Sequence, residues 1–253
     1  MQATRFATIA AGLLTLAIFG TSCASNSQTS VPRAELRVLL VTGGHDYEKQ
    51  PFLDLFRSFG DVTFRHVEHT NADALLTPAG AKDFDVLVLY DMWQSIDDAA
   101  KAEYIKLATG GKGFVVLHHA IANYNEWDGY AELLGARYYL RPKTIGGVAK
   151  ARSQYQHDVQ IHVKVTDPGH PVARGVQDFV IHDETYKGFD VSPDVKPLLN
   201  TEEPLSGPVI GWAKQNGKSR WVYLQLGHDH FAYENPNYRQ LVHQAIRWVA
   251  KRQ

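Results

Sequence analysis

Four strongly apolar runs, each closing on a polar residue, restrict the fold of this chain more than any other feature. They are Val38-Leu39-Leu40-Val41, Val86-Leu87-Val88-Leu89-Tyr90, Phe114-Val115-Val116-Leu117 and Trp221-Val222-Tyr223-Leu224. Successive strand residues point to opposite faces, so a strand apolar at every position has to be covered on both sides. Leu36 to Thr42, Asp61 to His66, Val86 to Tyr90 and Gly113 to Leu117 read as the first four strands. Helical stretches from Pro51 to Phe59 and from Ile96 to Thr109 lie between them, and Gly110-Gly111 stops the second. The alternation predicts an α/β fold, a doubly wound and mostly parallel sheet with helices on both faces.

Beyond residue 140 the pattern changes. Arg141 to His157 keeps neither a helical nor a strand period and is expected to form an insertion or lid over a site, while Val159 to Val165 alternates like a strand with one wet face. Ile210 to Gln215 and Arg220 to Leu226 flank Asn216-Gly217, a hairpin signal. Asn235-Pro236 offers a cap and a first-turn proline for a last helix, whose Leu241, Val242, Ala245, Ile246 and Val249 share one face.

The amino-terminal stretch has a different character. Arg5 precedes a short apolar core, Phe6 to Phe19, too short for a comfortable bilayer span and of the right length for an export signal. Gly20-Thr21-Ser22-Cys23 resembles a lipobox, so residues 1–22 are expected to be a signal peptide of the lipoprotein type and Cys23 the lipidated residue. Residues 23–34 form a Ser/Asn/Gln/Thr tether and residues 35–253 one domain. The expected location is periplasm-facing, on the outer membrane rather than the inner, because Ala24 gives no acidic retention cue. Cys23 is the single cysteine, so with it modified the domain has no disulfide, no Cys-ligated zinc and no cysteine nucleophile. Lys and Arg number 26 against 27 Asp and Glu, which leaves no basic excess for a phosphate backbone, and no nucleic-acid partner is expected.

Polar residues gather where the strands end. His45 follows the first strand, His118 and His119 the fourth, Asp183 and Glu184 the segment Val180-Ile181-His182, and His228 and His230 the late hairpin strand. Ligands of open α/β sheets sit at such carboxyl ends. Neutral imidazole serves as metal ligand or as acid and base near pH 7, so the set suits metal-assisted chemistry or proton transfer. The metal candidates are His45, His118, Glu184 and His228, holding zinc or manganese; the catalytic candidates are His119, His118, Glu184 and Asp183, with His119 as base and His118 as ligand or orienting group. No nucleotide cofactor is expected. Of the many aromatics in post-strand segments, Trp93, Tyr124 and Tyr186, with His230, are the substrate-binding candidates, because flat rings suit the C–H faces of a sugar. His66, His69, His157, His162 and His243 read as structural or solvent-facing.

Five ordered motifs carry a family resemblance. Val41-Thr42-Gly43-Gly44-His45, Gly113 to Ala120, Gly169-His170-Pro171, His182-Asp183-Glu184-Thr185-Tyr186 and Leu226-Gly227-His228-Asp229-His230 resemble the trehalose-utilisation, ThuA-like family over roughly Leu36 to Lys251. The resemblance implies a flavodoxin-like fold of the class I glutamine amidotransferase kind. Those enzymes carry a nucleophilic cysteine on the turn that corresponds to Leu117-His118-His119; none stands there, so glutamine hydrolysis is not expected. It further implies carbohydrate breakdown, with a sugar or a keto-glycoside made by a partner sugar dehydrogenase as substrate. Hydrolysis, elimination and isomerisation all fit the residues, and a non-catalytic glycan-binding lipoprotein is the alternative.

Overall fold

Near-continuous burial along the first strand shows how the sheet is covered. The computed structural model describes residues 1–4 and 35–252; the segment expected to direct export, Cys23 and the expected tether lie outside the described residues. Among those described, nine strands share one sheet: β1 (Leu36–Gly43), β2 (Val62–Glu68), β3 (Val86–Asp91), β4 (Gly113–Leu117), β5 (Gln154–Val165), β6 (Phe179–Lys187), β7 (Lys196–Thr201), β8 (Val209–Asn216) and β9 (Ser219–Leu224). Leu36, Val38 and Leu40 of β1 pack against α1 (Lys49–Arg57) and the last helix, whereas Leu39 and Val41 pack with α2 (Asp98–Thr109) and α3 (Asp128–Leu134). Both faces of the strand are therefore dry, as its unbroken apolar run requires.

The order across the sheet is β2-β1-β3-β4-β9-β8-β7-β5-β6. From β2 to β9 every neighbouring pair is parallel, and from β9 to β6 every pair is antiparallel. The chain reverses direction across the sheet between β1 and β3, and α1 and α2 lie on opposite faces, which is the doubly wound arrangement expected. A short helix, α4 (His230–Glu234), leads into α5 (Pro236–Val249), where the Asn235 side chain accepts from the backbone N–H of Asn237 and Tyr238 and the expected apolar face is buried.

The antiparallel wing departs from the sequence reading in three places. The segment expected as an insertion contains a small hairpin, Lys143–Ile145 against Val148–Lys150, and its last residues already belong to β5, which starts at Gln154 rather than Val159. Exposed residues on the bulged start of β5 hid the strand period there. Asp183 and Glu184 lie inside β6, not after a strand. The Gly217-Lys218 turn is two residues long, since Asn216 pairs with Ser219.

Candidate active site

β4 ends in a strained backbone conformation. His118 follows Leu117 directly and has φ of 52°, a left-handed value costly for any side chain, and it starts a turn of 3-10 helix through Ala122. The turn sends two adjacent imidazoles in different directions. His118 is fully buried, its Nδ1 2.7 Å from the Gln225 carbonyl and its Nε2 2.9 Å from Glu184 Oε2 and 2.9 Å from the Tyr186 hydroxyl. His119 points to a cavity of about 300 Å³ that it lines with His45, Tyr138, His157, Glu184 and Tyr186 among others.

Glu184 reaches this point from the wing because adjacent strand residues face opposite ways. Its Oε2 lies 3.1 Å from Nδ1 of His228, and that nitrogen lies 3.3 Å from His118 Nε2. Asp183, next to it, turns the other way: its carboxylate accepts the backbone N–H groups of Gly227 at 2.7 Å and His228 at 3.0 Å. Tyr90 and Tyr233 take the carbonyls of the same loop, at 2.7 Å from Tyr90 to Gly227 and 3.0 Å from Tyr233 to His228. The loop bearing His228 is thus held on both its donors and its acceptors. Gly227 has φ of 119°, and a Cβ there would run into the Tyr238 hydroxyl.

The electrostatics follow from these contacts. Burial pushes the Glu184 carboxyl up, but the hydrogen bonds and charges of His118 and His228 outweigh it and hold the group well below the usual carboxylate range. The Glu184 hydrogen bond in turn raises His228. Burial, with His118 and His45 close by, drives His119 well below the ordinary histidine value, so it is neutral. Its Nε2 donates to the Tyr90 carbonyl at 3.3 Å, which leaves Nδ1 as the basic nitrogen. Burial raises Asp183 despite its backbone donors.

The ligand atoms of His118, Glu184 and His228 all lie within 4.8 Å of one another, and their chemistry fits a divalent cation. The Nδ1–H of His118 is committed to the Gln225 carbonyl, so in the neutral ring the Nε2 lone pair faces a carboxylate oxygen, an arrangement that calls for a proton or a cation between them. Two histidines and one glutamate are also the donor set of many catalytic zinc sites.

Other sequence candidates stand elsewhere. His45 stacks on His119 with ring centres 4.6 Å apart, and its Nδ1 donates to the Asp46 carbonyl, so it lines the cavity apart from the three clustered groups. Trp93 stacks on His69 at 5.1 Å, and Tyr124 is buried among Tyr104, Trp127 and Tyr130; neither lines the cavity. His230 binds Glu48 through its backbone N–H and Nδ1. Of the substrate-binding candidates, Tyr186 lines it.

Two histidines read as incidental are not. His157 lies on the β5 bulge between Gln156 and Val159, where Asp158 has φ of 59°. The bulge turns His157 to the cavity, against the His228 ring at 4.6 Å and 3.9 Å from Glu184 Oε1. His69 is buried between Asp91 at 2.9 Å and Asp73 at 3.0 Å. An irregular stretch before a strand was the only signal for the first, and none marked the second.

Fold and site together define a flavodoxin-like α/β protein with a buried His/Glu cluster at its crevice. The chain belongs to the ThuA family, described as trehalose utilisation, whose model matches residues 37–249, and this sets it in carbohydrate metabolism. No curated protein sequence matches it. It is similar in structure to a ThuA-like protein of Parabacteroides merdae, with a TM-score of 0.71 and 16% identity over 85% of this chain and 90% of that one. It is also similar to one of Bacteroides uniformis, with a TM-score of 0.63 and 21% identity over 88% and 94%. A β-galactosidase of Bacillus circulans sp. alkalophilus shares the fold over 31% of its own length, with a TM-score of 0.55 and 10% identity.

Proposed function

We propose that the protein is an acid–base enzyme of sugar breakdown that acts on a sugar or keto-glycoside in the cavity beside Glu184, His119 and Tyr186. The observation that carries the reading is the convergence of His118, Glu184 and His228 next to a cavity lined by His119 and by three tyrosines, Tyr138, Tyr155 and Tyr186. A carbonyl in a keto-glycoside acidifies the neighbouring C–H. His119 accepts that proton on Nδ1, its other nitrogen being held by the Tyr90 carbonyl. The electron pair left on carbon forms a double bond as the glycosidic C–O bond breaks, and the departing oxygen takes up a proton, so the step balances as an elimination; addition of water to its product gives net hydrolysis. Tyr138 and Tyr186 offer faces for the ring. His118, Glu184 and His228 would hold a divalent ion, which would supply positive charge to polarise the carbonyl. Export and a lipid on Cys23 belong to the same proposal, supported by Arg5 and the apolar run after it.

The test is metal analysis of the purified protein, followed by assay on keto-glycosides and their parent sugars. The expected outcome is turnover of the keto forms, lost on chelation and lowered about 10²- to 10⁴-fold by His119→Ala. Sugar binding without turnover of any keto-glycoside assigns a recognition role instead, and wild-type turnover in His119→Ala removes it as base.

A further inference from the structure

We infer that the active-site cavity continues into a second, cationic subsite that takes an anionic group on the distal end of the substrate. This rests on the sugar-binding reading above and names the class of sugar. Beside the first cavity lies an open one of about 530 Å³, formed where the start of β5 meets the end of β6. Arg152 and Tyr155 line both, so the two spaces adjoin. Arg152 makes no hydrogen bond or ion pair among the described residues, and Lys187 bonds only the Pro204 carbonyl, at 2.6 Å. The side chains around the second cavity include these two cations, the amides of Gln154 and Gln156, and no carboxylate. Tyr155, 52% exposed, stands edge-on to His157 with ring centres 5.3 Å apart, a free aromatic face at the junction.

Charge fixes the direction in which a ligand lies. The inner end presents the Glu184 carboxylate; the outer end presents a guanidinium and an ammonium with no carboxylate among them, and these attract an anion. A neutral sugar ring in the first cavity, joined to a second unit bearing a carboxylate or a sulfate, satisfies both ends, whereas the reverse orientation satisfies neither. Guanidinium matches either anion through paired N–H donors.

The experiment is calorimetric binding to the full protein of trehalose, its 6-carboxylate and its 6-sulfate, each as the parent sugar and as its keto form. The expected result is about tenfold tighter binding of one or both anionic ligands than of the neutral one. That advantage should shrink as salt is raised and collapse in Arg152→Met, with circular dichroism showing that the variant is folded. Preference for the carboxylate alone assigns a uronate, and equal preference assigns a general anion site. Neutral and anionic sugars bound alike by the wild type, or an advantage that survives both Arg152→Met and Lys187→Met, overturns the subsite and leaves the sugar reading standing. No binding of any of the six ligands overturns both.

Discussion

The parallel half of the sheet and its antiparallel wing supply the same crevice in different ways. At the ends of β1, β4 and β9 the chain leaves the sheet, and His45, His118, His119 and His228 stand on the turns it makes there. In β5 and β6 the crevice residues lie inside a continuing ribbon, with Glu184 in the middle of β6 and His157 on a bulge. The parallel half positions side chains by the turns after its strands, with a left-handed His118; the wing does so by strand alternation, which sends Asp183 to the loop and Glu184 to the imidazoles, and by the bulge at a left-handed Asp158. A strand end can be moved by its turn alone, whereas a mid-strand residue moves only with the ribbon. The wing therefore sets the reference to which the loops are adjusted.

Separating the two halves at the cluster they share gives the largest expected effect. If the proposed metal site exists, His118→Ala takes a ligand from the parallel half and Glu184→Gln one from the wing, and each should weaken zinc or manganese binding by more than about a hundredfold. If the groups act as one site, the double variant is little worse than either single one. Equilibrium dialysis against a metal indicator measures this, and additive losses would divide the cluster into independent groups.

Next in size is the loop that joins the halves. Gly227→Ala puts a side chain at φ of 119° against the Tyr238 hydroxyl and should destabilise the protein by about 3 kcal/mol in urea denaturation. Asp183→Asn sets an amide N–H₂ against at least one of three backbone donors, Glu184, Gly227 and His228, in a fully buried place, at a cost of about 2 kcal/mol. It should also weaken metal binding about 10- to 100-fold without removing a ligand, because the His228 backbone loses its anchor. An Asp183→Asn variant that keeps wild-type metal affinity would show that the loop is held by Tyr90 and Tyr233 alone.

The same contrast explains what could be read from the sequence. Buried parallel strands announce themselves by unbroken apolar runs, and β1, β3 and β4 fall within a residue of their expected ends. The turns after them were visible as His and Gly at run ends, which brought His118, His119 and His228 forward. The wing gave weaker signals. The start of β5 is exposed at Gln154, Tyr155 and Gln156, and its bulge breaks the period, so nothing separated it from a loop and His157 and Arg152 went unnoticed. Glu184 was found by its motif, while its position inside a strand was not.

The smallest effect concerns how the parallel half is fastened at the site's edge. His69 follows β2 and joins Asp91, at the end of β3, to Asp73. Burial alone would lower the His69 pKa, but the hydrogen bond and charge of Asp91, helped by Asp73, raise it above the ordinary histidine value. The folded state therefore holds this proton more tightly than the unfolded chain. Its stabilisation is complete below the unfolded value, about 6.5, and is lost as pH rises through the higher folded value. Melting temperature should accordingly fall as pH is raised above about 6.5, and His69→Gln, which keeps a donor but does not titrate, should remove that part of the slope. The two proteins differ at this one side chain, so the difference between the two curves isolates His69. Parallel curves would mean that the imidazole is neutral in the fold and that Asp91 is held by the Asn123 amide, 2.6 Å away, without help from a charge.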